Sequence, residues 1–131
     1  MINIFNELFT LLDATLQAFN SNIETDCVYV NMPNHYPFVS LEETNNSVFT
    51  QSSNCKVENH ADIEYEVNIY TQDPNKKSEA DGIADVVDTF FASLGFVRTS
   101  KIPIQNSDET TYRISLRYEG IVSKDHVIFR R

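Results

Sequence analysis

The sequence predicts an α+β fold. The expectation is a mixed, mainly antiparallel sheet of about four to five strands, packed by an N-terminal helix and by a second helix over residues 79–94. Three observations predict it. Residues 63–69 alternate: Ile63, Tyr65, Val67 and Ile69 are apolar, and Asp62, Glu64, Glu66 and Asn68 lie between them. That period of two is the signature of a half-buried strand. The period then changes, because Ala80, Ile83, Ala84, Val87, Phe90, Phe91 and Leu94 fall on one face of a helix. Residues 110–119 return to alternation, with Tyr112, Ile114, Leu116 and Tyr118 on one side and Thr111, Arg113, Ser115, Arg117 and Glu119 on the other. At 131 residues, a single domain spanning 1–131 is expected, long enough to bury a core.

The first helix is predicted over residues 3–20. Phe5, Leu8, Phe9, Leu12, Leu16 and Phe19 form its apolar row, which Ile4 and Leu11 widen. Such a stripe suits a helix sunk in its own core. It is also broader than packing on one sheet requires, so Phe9 and Leu11 are candidates for contact with a neighbouring subunit. Asn20-Ser21-Asn22 ends the helix. Cys27–Met32 reads as a strand, Pro33-Asn34-His35 as a turn, and Pro37–Leu41 as a second extended piece anchored by Phe38 and Leu41. Residues 42–59 are rich in Asn, Ser, Thr and Gln and predict a long loop or an irregular hairpin.

After the strand at 63–69, the polar stretch Thr71–Asn75 turns the chain. Ser78 is the predicted N-cap of the second helix, since its hydroxyl can accept from a free backbone N–H. Glu79 and Asp81 place negative charge in the first turn, where the helix dipole favours it. Gly95 stops the helix in the left-handed conformation. Phe96–Ile104 is a strand ending near Pro103, and Asn106-Ser107-Asp108 is turn chemistry. Gly120 breaks the alternation of the 110–119 strand, and Val127–Phe129 makes a last short one.

The net charge is −9, which argues against tight general binding to nucleic acid or an anionic membrane. The distribution is uneven. Residues 1–55 contain six acids and no Lys or Arg, residues 56–95 nine acids and three bases, and residues 96–131 four acids and seven bases. Such asymmetry permits the basic end of one copy to meet the acidic end of another. It also fits ordinary solvated faces. Within the chain, Glu64 and Glu66 on one strand complement Arg113 and Arg117 on the other. If the two strands are neighbours, these residues pair internally. If not, each row is free for another chain. Internal pairing is favoured for Arg113, and Arg117, nearer the strand end, is the better interface candidate.

No catalytic or cofactor motif is evident. Three glycines (Gly82, Gly95 and Gly120) leave no room for a P-loop or a dinucleotide fingerprint. A metal site would have to draw on Cys27, His35, Cys55 and His60, whose spacing matches no zinc pattern. Asp81, Asp85 and Asp88 share a helix face opposite the apolar row and read as its wet side. No nucleophile elbow is present. The expectation is therefore no enzyme activity, no cofactor and no metal. Two cysteines make no disulfide framework, and neither a signal peptide nor a membrane span is recognisable, so synthesis in the cytosol with reduced thiols is expected.

The second half carries a resemblance. A Tyr65-Glu66-Val67-Asn68-Ile69-Tyr70 strand leads through a polar turn to an amphipathic helix. Gly95-Phe96-Val97-Arg98 follows. Beyond a Pro/Asn/Asp stretch lies Tyr112-Arg113-Ile114-Ser115-Leu116-Arg117-Tyr118, and the end is basic. Over residues 61–131 this layout resembles the tail terminator and tail-completion proteins of long-tailed bacteriophages, also described as minor capsid or head–tail joining proteins. The resemblance implies a hexameric ring at the head–tail junction of the virion. That ring would cap the tail-tube protein, stop tube growth and present a surface to the head-connector protein. DNA would pass through without specific binding, since an acidic wall repels phosphate. It implies no catalysis. The neighbouring stations, a head-completion stopper or a connector adaptor, share size and style. A ferredoxin-like ligand-binding module is the alternative of a different class, although the Gly-rich turns such modules use are missing.

Overall fold

The computed structural model describes residues 3–27, 33, 35–48, 60–72, 75–104, 110–123 and 128–129. The elements run α1 (Phe5–Phe19), β1 (Glu24–Asp26), β2 (Phe38–Val48), β3 (His60–Gln72), α2 (Lys76–Leu94), β4 (Val97–Ile104), β5 (Thr111–Ser123) and β6 (Ile128–Phe129). The sheet order is β1-β2-β3-β5-β4, with β6 paired to the end of β5. β1 and β2 are parallel and every other pair is antiparallel. This is the predicted α+β fold.

The central unit is β3–α2–β4. β4 does not pair with β3, because β5 lies between them and runs antiparallel to both. β3 and β4 are therefore parallel, and α2 is the crossover that parallel strands require. One buried cluster joins Leu8, Leu12 and Leu16 of α1, Ile83, Val87 and Phe91 of α2, and the core-facing residues of β2, β3 and β5. Each fully buried side chain of this size contributes roughly 1.5–3 kcal/mol.

The joint between α2 and β4 follows from two residues. Gly95 adopts φ 101°, and its N–H donates to the Ala92 carbonyl at 3.1 Å, while the Phe96 N–H donates to the Phe91 carbonyl at 3.0 Å. This is a Schellman closure, which calls for a left-handed residue such as glycine. Its apolar contact is Phe96 against Phe91, edge to face at 5.5 Å between ring centroids. The Phe96 ring also lies over β5 at Gly120, where an added Cβ would stand 2.5 Å from Phe96 Cδ1. Gly120 thus does not end the strand, which runs on to Ser123; it makes room for an aromatic ring.

Several boundaries differ from expectation. α2 begins at Lys76, not after Ser78. Asn75 takes the left-handed conformation at φ 63°, tolerable for Asn, and its carbonyl accepts the Glu79 N–H at 2.9 Å. Glu42–Val48 belongs to β2, so the polar stretch is the arm of an irregular hairpin with β3, its register shifted between Glu43 and Asn45. Residues 49–59 lie outside the described residues. The early strand is Glu24–Asp26, and Cys27 follows it in a bend. Residues 28–32 of the predicted strand, the 106–108 turn and Val127 also lie outside them. β3 is not half-buried along its length: Asn68 and Tyr70, on its second face, are fully buried.

Tyr65 and Tyr118 face each other across β3 and β5, both buried, yet their hydroxyls differ. Tyr118 donates to Asp88 Oδ1 at 3.0 Å. Among the described residues the Tyr65 hydroxyl finds no hydrogen-bond partner. Tyr118→Phe is therefore expected to destabilise by about 1–3 kcal/mol, through loss of a bond to a charged acceptor. Tyr65→Phe is expected to be neutral or stabilising, because it removes a buried, unsatisfied group. Urea unfolding of the two variants measures the difference in sign.

Candidate functional site

Register places the sequence-predicted charges on one face of the sheet, opposite the helices. Glu42, Glu66 and Arg117 form one row across β2, β3 and β5, with Ser40, Asn68 and Ser115 in the next and Phe38, Tyr70 and Arg113 beyond it. Arg117 bridges two carboxylates of its own chain, Nη1 to Glu64 Oε1 at 3.3 Å and Nη2 to Glu66 Oε1 at 3.8 Å. Ser115 Oγ donates to Glu66 Oε1 at 2.8 Å, and Thr44 Oγ1 to Glu64 Oε1 at 3.0 Å. Arg113 donates from Nε and Nη2 to Asn68 Oδ1 at 3.2 and 2.9 Å, and its guanidinium lies 5.3 Å from the Tyr70 ring centroid. Arg117 thus bridges carboxylates of its own chain, as the pairing with Glu64 and Glu66 foresaw, while the contacts of Arg113 include a neutral amide and a ring. The reason is register, which sets Arg117 directly opposite Glu66 and Arg113 opposite Tyr70. Arg117→Glu is expected to lower the monomer's stability by roughly 0.5–1 kcal/mol, the scale of partly exposed pairs, as read by thermal melting.

Glu42 faces Glu66 directly. Burial raises the Glu42 pKa above its ordinary value, Glu66 raises it further, and Arg113 partly offsets both. A carboxyl whose folded pKa is raised contributes stability that is full below its unfolded pKa and is lost as pH rises through the folded value. Glu42→Gln is therefore expected to raise the melting temperature at pH 7. The gain over wild type should vanish below the unfolded carboxyl value of 4.5. Melting curves of both proteins across that range test the sign.

A second charged set was not foreseen. Asp88 accepts from Tyr118 and pairs with Arg98 Nη1 at 3.3 Å, while Asp81 pairs with Lys101 Nζ at 3.8 Å. Two of the three aspartates expected merely to face water instead fasten β4 to α2. Asp85 stays exposed, at the rim of a groove of about 450 Å³ between α1 and α2, with Thr15, Val86, Thr89, Phe90 and Ser93 as its other lining.

The apolar candidates on α1 separate. Phe9 is half-buried and stacked on Phe5 at 6.2 Å, whereas Leu11 is 52 % exposed. Among the described residues the other large exposed apolar side chains are Phe19 at 53 %, Val97 at 41 % and Ile102 at 55 %. Val97 and Ile102 lie on β4, an edge strand paired only with β5 among the described residues. Sequence reasoning missed them, although the lack of a clean apolar face in Val97–Ile104 and the proline at 103 were signals of an edge.

His35 is exposed, its Nε2 2.7 Å from the Asn22 carbonyl oxygen, beside a polar cleft of about 410 Å³ that Gln72 and Glu79 also line. Cys27 is exposed and free, and Cys55 lies outside the described residues. Among the described residues no group of three His, Cys, Asp or Glu side chains is placed to hold a metal, and no helix is long and apolar enough to cross a membrane. A scan against protein-family models and a search of curated proteins match nothing to this chain.

Proposed function

We propose that this chain is a structural virion protein of a long-tailed phage: a tail terminator that assembles with copies of itself into a ring, caps the tail tube and joins it to the head connector. The observation that carries the reading is the pair of unlike apolar surfaces, Leu11 and Phe19 on α1 and Val97 and Ile102 on β4. Unlike surfaces that fit one another make heterologous contacts, and these close into rings when the rotation permits. The layout of residues 61–131 and the acidic balance, suited to a wall that lets DNA pass, support the same reading. The role requires neither catalysis nor a cofactor. The ring would be a hexamer at the head–tail junction, assembled in the host cytoplasm.

Electron microscopy of the protein mixed with purified tail tubes tests the proposal. Rings seated at one end of the tubes are expected, with light scattering showing a monomer or weak association when tubes are absent. A strictly monomeric protein that decorates no tube end would overturn it.

A further inference from the structure

We infer that the polar cleft between the end of α1, the start of β2 and the first turn of α2 binds a neutral saccharide; the inference goes beyond the ring reading and does not rest on it. The cleft measures about 410 Å³. That lies within the roughly 300–1,000 Å³ of small-molecule sites, but such sites are mostly apolar, and this one is not. Asn20, Asn22, His35, Gln72 and Glu79 supply its polar atoms, and Tyr36 with Pro37 an apolar wall.

The walls are held in place by their own hydrogen bonds. The Asn20 N–H closes α1 on the Leu16 carbonyl at 2.8 Å, the Glu24 N–H donates to the Pro37 carbonyl at 3.1 Å, and the Glu79 N–H donates to the Asn75 carbonyl at 2.9 Å. His35 Nε2 stands 2.7 Å from the Asn22 carbonyl oxygen. A carbonyl only accepts, so Nε2 donates, and Nδ1 is left as an acceptor in the neutral ring. A site positioned in this way needs little ordering when a ligand enters.

The polar side chains are left for that ligand. Asn20 Oδ1 accepts the Asn22 N–H at 3.0 Å, which leaves Nδ2 as a donor. The side chains of Asn22, Gln72 and Glu79, all exposed, make no hydrogen bond among the described residues. Two amides with donor and acceptor side by side, a further N–H and a carboxylate suit a ligand that carries donors and acceptors on neighbouring atoms, as the hydroxyls of a sugar ring do. Tyr36 and Pro37 offer the apolar surface on which the C–H face of such a ring packs. Other classes fit less well. No Lys or Arg lines the cleft, so an anion finds no charged partner. Glu79 is the one carboxylate, and it stands in the first turn of α2, where the positive end of the helix dipole opposes a second positive charge. Hydrolysis of a glycosidic bond calls for two carboxylates, so the saccharide would be held and not cut.

The test is a titration of the full chain, read by its backbone amide NMR shifts, with maltose, cellobiose and chitobiose. Putrescine serves as the cationic probe and phosphorylated glucose as the anionic one. At least one disaccharide is expected to shift the amides of Asn20, Asn22, Gln72 and Glu79 saturably. Gln72→Ala and Glu79→Ala, both at exposed positions and shown to be folded by circular dichroism, are each expected to weaken that binding roughly tenfold, the scale of one lost hydrogen-bonding group. Glu79→Gln keeps an acceptor and is expected to retain most of the affinity, which a cation site would lose. No shift at these amides with any of the three disaccharides up to about 50 mM would overturn the inference. So would shifts with putrescine or phosphorylated glucose alone, or saccharide binding that both alanine variants keep. None of these results bears on assembly, so the ring reading stands or falls separately.

Discussion

Phe91→Ala is expected to cost about 3–5 kcal/mol of stability, the range for truncating a core aromatic. Phe91 is fully buried and stands at the centre of the aromatic cluster. It stacks on Tyr118 at 4.3 Å and 8°, and meets Phe90, Phe96 and Tyr65 at 5.3, 5.5 and 6.4 Å. Truncation would leave a cavity bounded by rings that α2 and β5 hold in place, so collapse would fill little of it. The apolar half of the Schellman closure would be lost with it. Urea unfolding should show a lower midpoint with an unchanged m-value. A loss under 1 kcal/mol would mean that the cluster repacks freely.

The second large effect is overpacking. Gly120→Ala is expected to cost about 1–3 kcal/mol or more, although the same change at an open strand position would be stabilising. The added methyl would stand 2.5 and 2.7 Å from two carbons of the Phe96 ring. Phe96 cannot swing away easily, because it is buried and held against Phe91 and Tyr65. The cause can be isolated with Phe96→Leu. If the clash is responsible, Gly120→Ala should cost clearly less in the Phe96→Leu background than in wild type, a coupling that a double-mutant cycle reads directly. Equal costs in the two backgrounds would assign the loss to the backbone instead.

The elements legible in the sequence are those with a strong period. The alternation of 63–69 and the helical spacing of 80–94 lie inside elements of the observed type, and that of 110–119 does so from Thr111 onward, because burial on one face selects side chains at that period. Gly95 was legible for the same local reason, since a helix end demands a left-handed residue. What was illegible depends on partners distant in the chain. Glu42–Val48 has no apolar alternation, and it is a strand because β3 offers it a ladder. Gly120 resembles a strand end until Phe96 is placed over it. The internal pairing of Arg117 follows from the register of β3 against β5, which alternation alone does not determine: a shift of two residues would keep every face and exchange the partners. Asp81 and Asp88 sit on the polar side of α2 as expected, but only the position of β4 turns that side into a joint.

The most direct test of the proposed role is the length of tail tubes grown in vitro from the tube protein with and without this chain. The account predicts tubes that grow on without limit alone and stop, capped at one end, once the protein is added. Tubes whose length distribution is unchanged by a folded protein at saturating concentration would contradict it.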